Sequence, residues 1–261
     1  MTNFSFIFPG QGSQAVGMMA DFNDHPLIRS TFNEASQILN VDFWKMATEP
    51  NEEIHQTIHT QPILLTAGIA TWRVWQSKTD RLPSYLAGHS LGEYAALMSA
   101  GILNMDGALR AAAARGTEMG SVQIDDKGLM ASVTAPYEHI AQILEEIDGY
   151  VIAANKNSPR MTVIAGETGP VKAAMSRFET EGFQCVALAT SHAFHSRIVA
   201  PANVPLRKFL ESLEIGWPKI PLTSNVDGGW YPMDDGSDSK VAILSKLAPQ
   251  MASSVEWTTQ I

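Results

Sequence analysis

The chain has 261 residues, 45% of them hydrophobic, a formal net charge of −9 and a single cysteine, Cys185. That is enough apolar material for a substantial core, in one domain with an insertion or in two domains. The acidic balance excludes nucleic acid and anionic membranes as main partners, no apolar run is long enough to span a bilayer, and one cysteine allows no intrachain disulfide. The first residues carry neither a basic stretch nor a long apolar run, so no signal peptide is read and a soluble, cytoplasmic protein is expected.

Residues 4–8 read as a buried strand that runs into a turn-rich loop, Pro9-Gly10-Gln11-Gly12-Ser13-Gln14. Helices are expected over 26–39, 52–59 and 62–76; the last is apolar nearly all round (Ile63, Leu64, Leu65, Ile69, Trp72), as a buried helix is. Tyr85-Leu86-Ala87 reads as a strand, followed by a helix from Ser90 to near Gly101 and another over 106–119 that Asp106 can cap. From Gly128 the rhythm changes to strand 129–134, helix 136–147, strands 151–154 and 161–165, helix 171–182 and strand 185–188. That order, βαββαβ, is the order of a ferredoxin-like unit. After it come a helix over 199–213, a short strand over 220–223, a loop rich in Gly and Asp, and a helix over 240–250. The expected fold class is therefore α/β, with residues 1–126 and 191–261 forming a large hydrolase-like subdomain and 127–190 an inserted ferredoxin-like subdomain.

Gly88-His89-Ser90-Leu91-Gly92 carries the chemistry. It is a G-x-S-x-G pattern between a strand and a helix, the context in which a serine sits exposed on a tight elbow. The first N–H groups of the helix have no partner within it and face the serine. Ser90 is thus a candidate nucleophile, and the Leu91 N–H, just after it, a candidate donor to an oxyanion. The Gln11 loop, freed by two glycines, is a candidate source of the second donor.

A serine needs a base. Of seven histidines, His89 is adjacent to Ser90 and points elsewhere on an elbow. His55 and His59 are four apart on an expected helix with no third ligand, so no metal site is expected. His192-Ala193-Phe194-His195 follows a strand at the edge of the inserted unit, and either histidine there fits the base. Arg110 and Arg115 lie on one helix, and a guanidinium there can grip a carboxylate through two parallel hydrogen bonds.

Gly10–Gln14, Gly88–Glu93, Arg115-Gly116 with Met119, the stretch from Asn155 to Gly166, and Ser191-His192-Ala193-Phe194-His195-Ser196 stand in the order seen in malonyl-CoA:acyl carrier protein transacylases. The chain resembles that family, and the related acyltransferase domains of polyketide synthases, from Phe4 to about Trp257. The resemblance implies a hydrolase-like core with a ferredoxin-like insertion. It implies that Ser90 takes the acyl group with His195 as base, that Gln11 and the Leu91 backbone hold the oxyanion, and that Arg115, rather than Arg110, binds the malonyl carboxylate. Phe194 would crowd the α-carbon and disfavour a methyl branch, a discrimination worth about 1–3 kcal/mol. Gln250 matches a glutamine near the active site, where a backbone carbonyl orients the histidine. The implied partners are malonyl-CoA and an acyl carrier protein that brings the phosphopantetheine thiol; no resident cofactor is implied. Arg197, Arg207 and Lys208 offer a basic surface to an acidic carrier. The departure from the pattern is at the end: relatives continue some tens of residues past the tryptophan matching Trp257, through a Gly-Pro-Gly element, whereas this sequence ends at Ile261.

Two rivals remain at this point. A thioesterase or esterase would use the same serine with a carboxylate behind the histidine, and Asp125, Asp126 and Asp148 lie in the required interval. A carrier-binding module would bind the carrier without forming an acyl-serine.

Overall fold

A computed structural model describes residues 3–261. Its elements are β1 (Ser5–Phe8), α1 (Pro26–Leu39), α2 (Phe43–Thr48), α3 (Thr57–Lys78), β2 (Tyr85–Gly88), α4 (Gly92–Ser99), α5 (Met105–Ser121), β3 (Leu129–Thr134), α6 (Tyr137–Glu146), β4 (Val151–Ser158), β5 (Met161–Gly166), α7 (Thr168–Thr180), β6 (Gln184–Ala187), α8 (Asn203–Glu211), α9 (Ser239–Leu247) and α10 (Trp257–Gln260). The fold is α/β, and it divides into two units.

The first unit comprises the described residues up to Thr117 with Leu206–Ser224 and Trp230–Ser245. Its centre is the parallel pair β1–β2, in register from Ser5 against Tyr85 to Phe8 against Gly88. The strand expected over 220–223 is reduced to bridges: Leu222 lies parallel to Leu86, and Thr223 pairs with Trp230. Parallel strands need a crossover, and the connection from β1 to β2 supplies it with α1 to α3. The helices expected over 52–59 and 62–76 are instead a 3-10 turn, Glu53–His55, and the single 22-residue α3. Pro62 lies inside α3 and removes one hydrogen bond of the helix, at a cost of about 3 kcal/mol. Complete burial of Ile63, Leu65 and Ile69 offsets it. The cap of α5 also differs from expectation. Asn104 Oδ1 accepts the Gly107 N–H at 2.7 Å, while Asp106 stands one residue inside the helix and pairs with Arg110 at 2.9 Å.

The second unit comprises Glu118–Pro205, Asn225–Gly229 and Lys246–Ile261. Its antiparallel sheet has the order β4-β5-β3-β6, the split βαβ arrangement of a ferredoxin-like unit. Hydrophobic positions of α6 and α7 (Ile140, Ile143, Val171, Phe178) pack with Val133 and Ile164 of the sheet, all buried. The chain returns along this sheet near its end: Val255 N–H donates to Ala154 C=O at 2.8 Å, Lys156 N–H to Val255 C=O at 2.9 Å, and Lys156 pairs with Glu256 at 2.8 Å. That return fixes the segment carrying Gln250. Prolines shape what lies around it. Pro201 confines Arg197–Ala202 to 3-10 geometry before α8, and Pro249 separates α9 from a 3-10 turn, Gln250–Ala252.

Candidate active site

In the first unit the elbow is built by close approach of backbones. A Cβ on Gly88 would lie 2.1 Å from the Gly92 carbonyl carbon, and one on Gly92 would lie 2.2 Å from the Phe8 carbonyl oxygen. Only glycine fits either place. His89 N–H donates to Phe8 C=O at 3.0 Å, Gly92 N–H to His89 C=O at 2.9 Å and Glu93 N–H to Ser90 C=O at 3.1 Å, which closes the turn into α4. The turn holds Ser90 at φ 51°, a left-handed conformation that costs a non-glycine residue about 1–3 kcal/mol. The Leu91 N–H comes just before the bonded Gly92 and Glu93 amides, at the head of the α4 dipole.

Arg115 reaches the candidate nucleophile. Its Nη2 donates to Ser90 Oγ at 3.1 Å, and the side chain is 1% exposed. Burial pulls the guanidinium below its usual pKa range, and the charges of Tyr94 and Glu93 oppose that pull. Arg110, the other candidate, is exposed and held by Asp106 through its Nε. Gln11 Nε2 donates to Thr57 Oγ1 at 3.2 Å, and its loop lies against the elbow, where a Cβ on Gly10 would stand 2.5 Å from the His89 carbonyl oxygen.

In the second unit the two candidate histidines separate by environment. His192 has both ring nitrogens engaged, Nε2 with Val122 C=O at 3.2 Å and Nδ1 with Ser191 Oγ at 3.1 Å, so it ties its loop to the end of α5. His195 is 3% exposed, and its Nδ1 faces two main-chain carbonyls, Ser253 at 3.0 Å and Gln250 at 3.3 Å. Two carbonyl acceptors require the proton on Nδ1, which makes Nε2 the basic nitrogen. Asn40, Ser90 and His195 are the non-glycine residues with positive φ among those described, so the candidate nucleophile and base both stand on sparsely populated backbone. No sequence pattern announces that conformation for His195, nor the Ser253 carbonyl. Gln250 contributes its backbone to the histidine and is itself 1% exposed; Phe194 is 5% exposed. Asp126, a carboxylate the esterase reading required, accepts from Thr168 N–H, Thr168 Oγ1–H and Gly128 N–H, and these bonds hold it below the usual carboxylate range.

Of the basic residues expected to meet a carrier, Arg197 stacks on the Tyr150 ring at 3.8 Å and pairs with Glu167 at 3.1 Å, and Arg207 pairs with Glu211 at 2.9 Å. Among the described residues no group of three His, Cys, Asp or Glu could hold a metal ion, and no helix is long and apolar enough to cross a membrane.

Residues 5–230 match the acyl transferase domain family. The malonyl CoA-acyl carrier protein transacylase of Salmonella typhimurium is 37% identical over 267 aligned positions, covering 100% of this chain and 84% of that protein. The chain belongs to the malonyl-CoA:acyl carrier protein transacylase family. Solved members of that transacylase family share the fold closely. The acyl-carrier-protein S-malonyltransferase of Burkholderia pseudomallei superposes with a TM-score of 0.92 at 36% identity, covering 98% of this chain and 83% of that one. A malonyl-transacylase solved in complex with a type II polyketide synthase acyl carrier protein gives 0.90 at 37% identity, covering 98% and 83%.

Proposed function

We propose that this transacylase moves the malonyl group of malonyl-CoA to the phosphopantetheine thiol of an acyl carrier protein, through a malonyl ester on Ser90. The observation that carries the reading is the buried Arg115 guanidinium hydrogen-bonded to Ser90 Oγ. A cation at that place meets an acyl chain that ends in a carboxylate while its other end reacts at the serine.

In the first half-reaction His195 Nε2 takes the Ser90 proton as Oγ adds to the thioester carbonyl. The oxyanion is held by the Leu91 N–H and by Gln11, where losing one donor costs about 10²–10³ in rate. Collapse breaks the C–S bond, and His195 returns its proton to the departing CoA thiolate. In the second half-reaction the carrier thiol gives its proton to Nε2, its sulfur adds to the ester, and the C–O bond breaks as Ser90 Oγ regains the proton. The Ser253 and Gln250 carbonyls keep the imidazole in its Nδ1–H form, the office a carboxylate fills in a Ser-His-Asp triad. Neutral carbonyls stabilise the imidazolium less than a carboxylate does, which suits an ester that waits for a thiol. Arg115 grips the malonyl carboxylate, and Phe194 crowds its α-carbon. Residues 1–126 with 191–261 form the catalytic subdomain of this reading and 127–190 the small one. The reaction needs no resident cofactor in this scheme, and the free thiol of Cys185 suits a cytoplasmic setting, in fatty acid or polyketide synthesis.

Initial rates test it. With malonyl-CoA and holo carrier protein both varied, double-reciprocal plots run parallel, as a ping-pong reaction through an acyl-enzyme requires. Intersecting lines would mean direct transfer and contradict the ester.

A further inference from the structure

Beside Ser90 and Arg115 lies a third buried polar residue that the scheme above leaves without a task. Glu93, in the first turn of α4, is 0% exposed, and its Oε1 accepts the Tyr231 hydroxyl at 2.7 Å. Tyr231 is 2% exposed and is itself pinned, its N–H donating to Leu222 C=O at 2.8 Å. We propose that Glu93, held by the Tyr231 hydroxyl, is a positioning residue that fixes the Arg115 guanidinium beside Ser90 and so sets the preference for acyl groups ending in a carboxylate. The inference rests on the malonyl-transfer reading and assigns it a determinant of specificity.

The physical case is one of charge. Arg115 is 1% exposed, and a buried guanidinium is strongly unfavourable unless an opposite charge faces it. Glu93 N–H donates to Ser90 C=O at 3.1 Å, so Glu93 stands one turn from the serine whose Oγ accepts Arg115 Nη2 at 3.1 Å. The charges of Tyr94 and Glu93 oppose the pull of burial on the guanidinium. The Glu93 charge also reaches Tyr94, whose wholly buried phenol is pushed up to about 12, chiefly by desolvation, with Arg115 opposing and Glu93 adding to the rise. The Tyr94 ring also lies under the guanidinium, 5.9 Å from ring centre to Cζ. Glu93, Tyr94 and Arg115 thus form one electrostatic group next to the nucleophile. Glu93 tolerates its burial because it stands at the positive end of the α4 dipole and receives the tyrosine hydrogen bond. Tyr231 is therefore the bolt: it fixes where the negative charge sits, and the negative charge fixes the cation.

Tyr231→Phe removes one hydroxyl and keeps the ring. Two rates read the outcome in wild type, Tyr231→Phe and Glu93→Gln: kcat/KM for malonyl-CoA, and inactivation of Ser90 by phenylmethylsulfonyl fluoride, a neutral reagent with no carboxylate to grip. The expected result is a loss of about tenfold in kcat/KM for malonyl-CoA, mostly in KM, with less than a twofold change in inactivation. Glu93→Gln, which keeps an acceptor for the tyrosine and removes the charge, gives the same split. Equal losses in both rates would make the pair a structural tie and overturn the proposal, as would unchanged malonyl-CoA constants in both variants. A wild-type protein that does not load malonyl at all would overturn the malonyl-transfer reading instead, so the two fail separately.

Discussion

Ser90 and Arg115 meet through one hydrogen bond, and a second residue type at either place changes the chemistry. Arg115→Lys keeps the charge and loses the planar fork, so it cannot bond Ser90 and a substrate carboxylate in the same geometry. Hydrogen bonds to charged groups contribute about 1.5–3 kcal/mol, so kcat/KM for malonyl-CoA should fall roughly tenfold to a hundredfold in Arg115→Lys and further in Arg115→Ala. Single-turnover loading rates with malonyl-CoA and acetyl-CoA check this: the loss should be confined to malonyl-CoA, and an equal loss for acetyl-CoA would deny Arg115 its carboxylate. Ser90 was legible in the sequence because the glycine spacing and the flanking strand and helix define the elbow. The choice between Arg110 and Arg115 was not legible from the residues alone, since helix position does not say which side faces a nucleophile. His192 and His195 are equally ambiguous in the residues alone; what differs between them is their ring partners and the positive φ of His195.

The elbow works because β1, β2 and α4 approach one another more closely than any side chain permits. Gly92→Ala would push a methyl into the Phe8 carbonyl, 2.2 Å away, and something must move. Overpacking of this kind costs about 1–3 kcal/mol, so the urea midpoint should drop and loading of Ser90 should fall with it. Gly120→Ala, near the end of α5 with nothing within 4 Å of the added carbon, should hold or raise the midpoint by the helix-propensity gain of about 1 kcal/mol. A Gly92→Ala variant as stable as wild type would show that the close approach is not required. Elements with strong periodicity, such as α6 and α7, were readable because their apolar faces repeat every turn. Boundaries set by tertiary burial were not: α3 runs through Pro62 because its buried face outweighs one lost bond, and Asn104 takes the cap of α5 by geometry that composition cannot separate from Asp106.

Ser90, Arg115 and Gln11 belong to the first unit, His195, Phe194 and Gln250 to the second. The order of strands and helices betrayed the ferredoxin-like sheet, because βαββαβ with short connections has few other solutions. The second unit also takes in Lys246–Ile261, far along the chain, and no local pattern foretells that return; it rests on the main-chain bonds of Val255 to β4. Those bonds hold the turn whose carbonyls face His195. The test that bears most directly on the malonyl-serine intermediate is intact-protein and peptide mass spectrometry after mixing with malonyl-CoA. One malonyl group should appear on the peptide containing Ser90, be absent in Ser90→Ala, and leave as malonyl-carrier when holo acyl carrier protein is added. No adduct on the wild-type protein, an undiminished adduct on Ser90→Ala, or loss to water as fast without carrier as with it would contradict that intermediate.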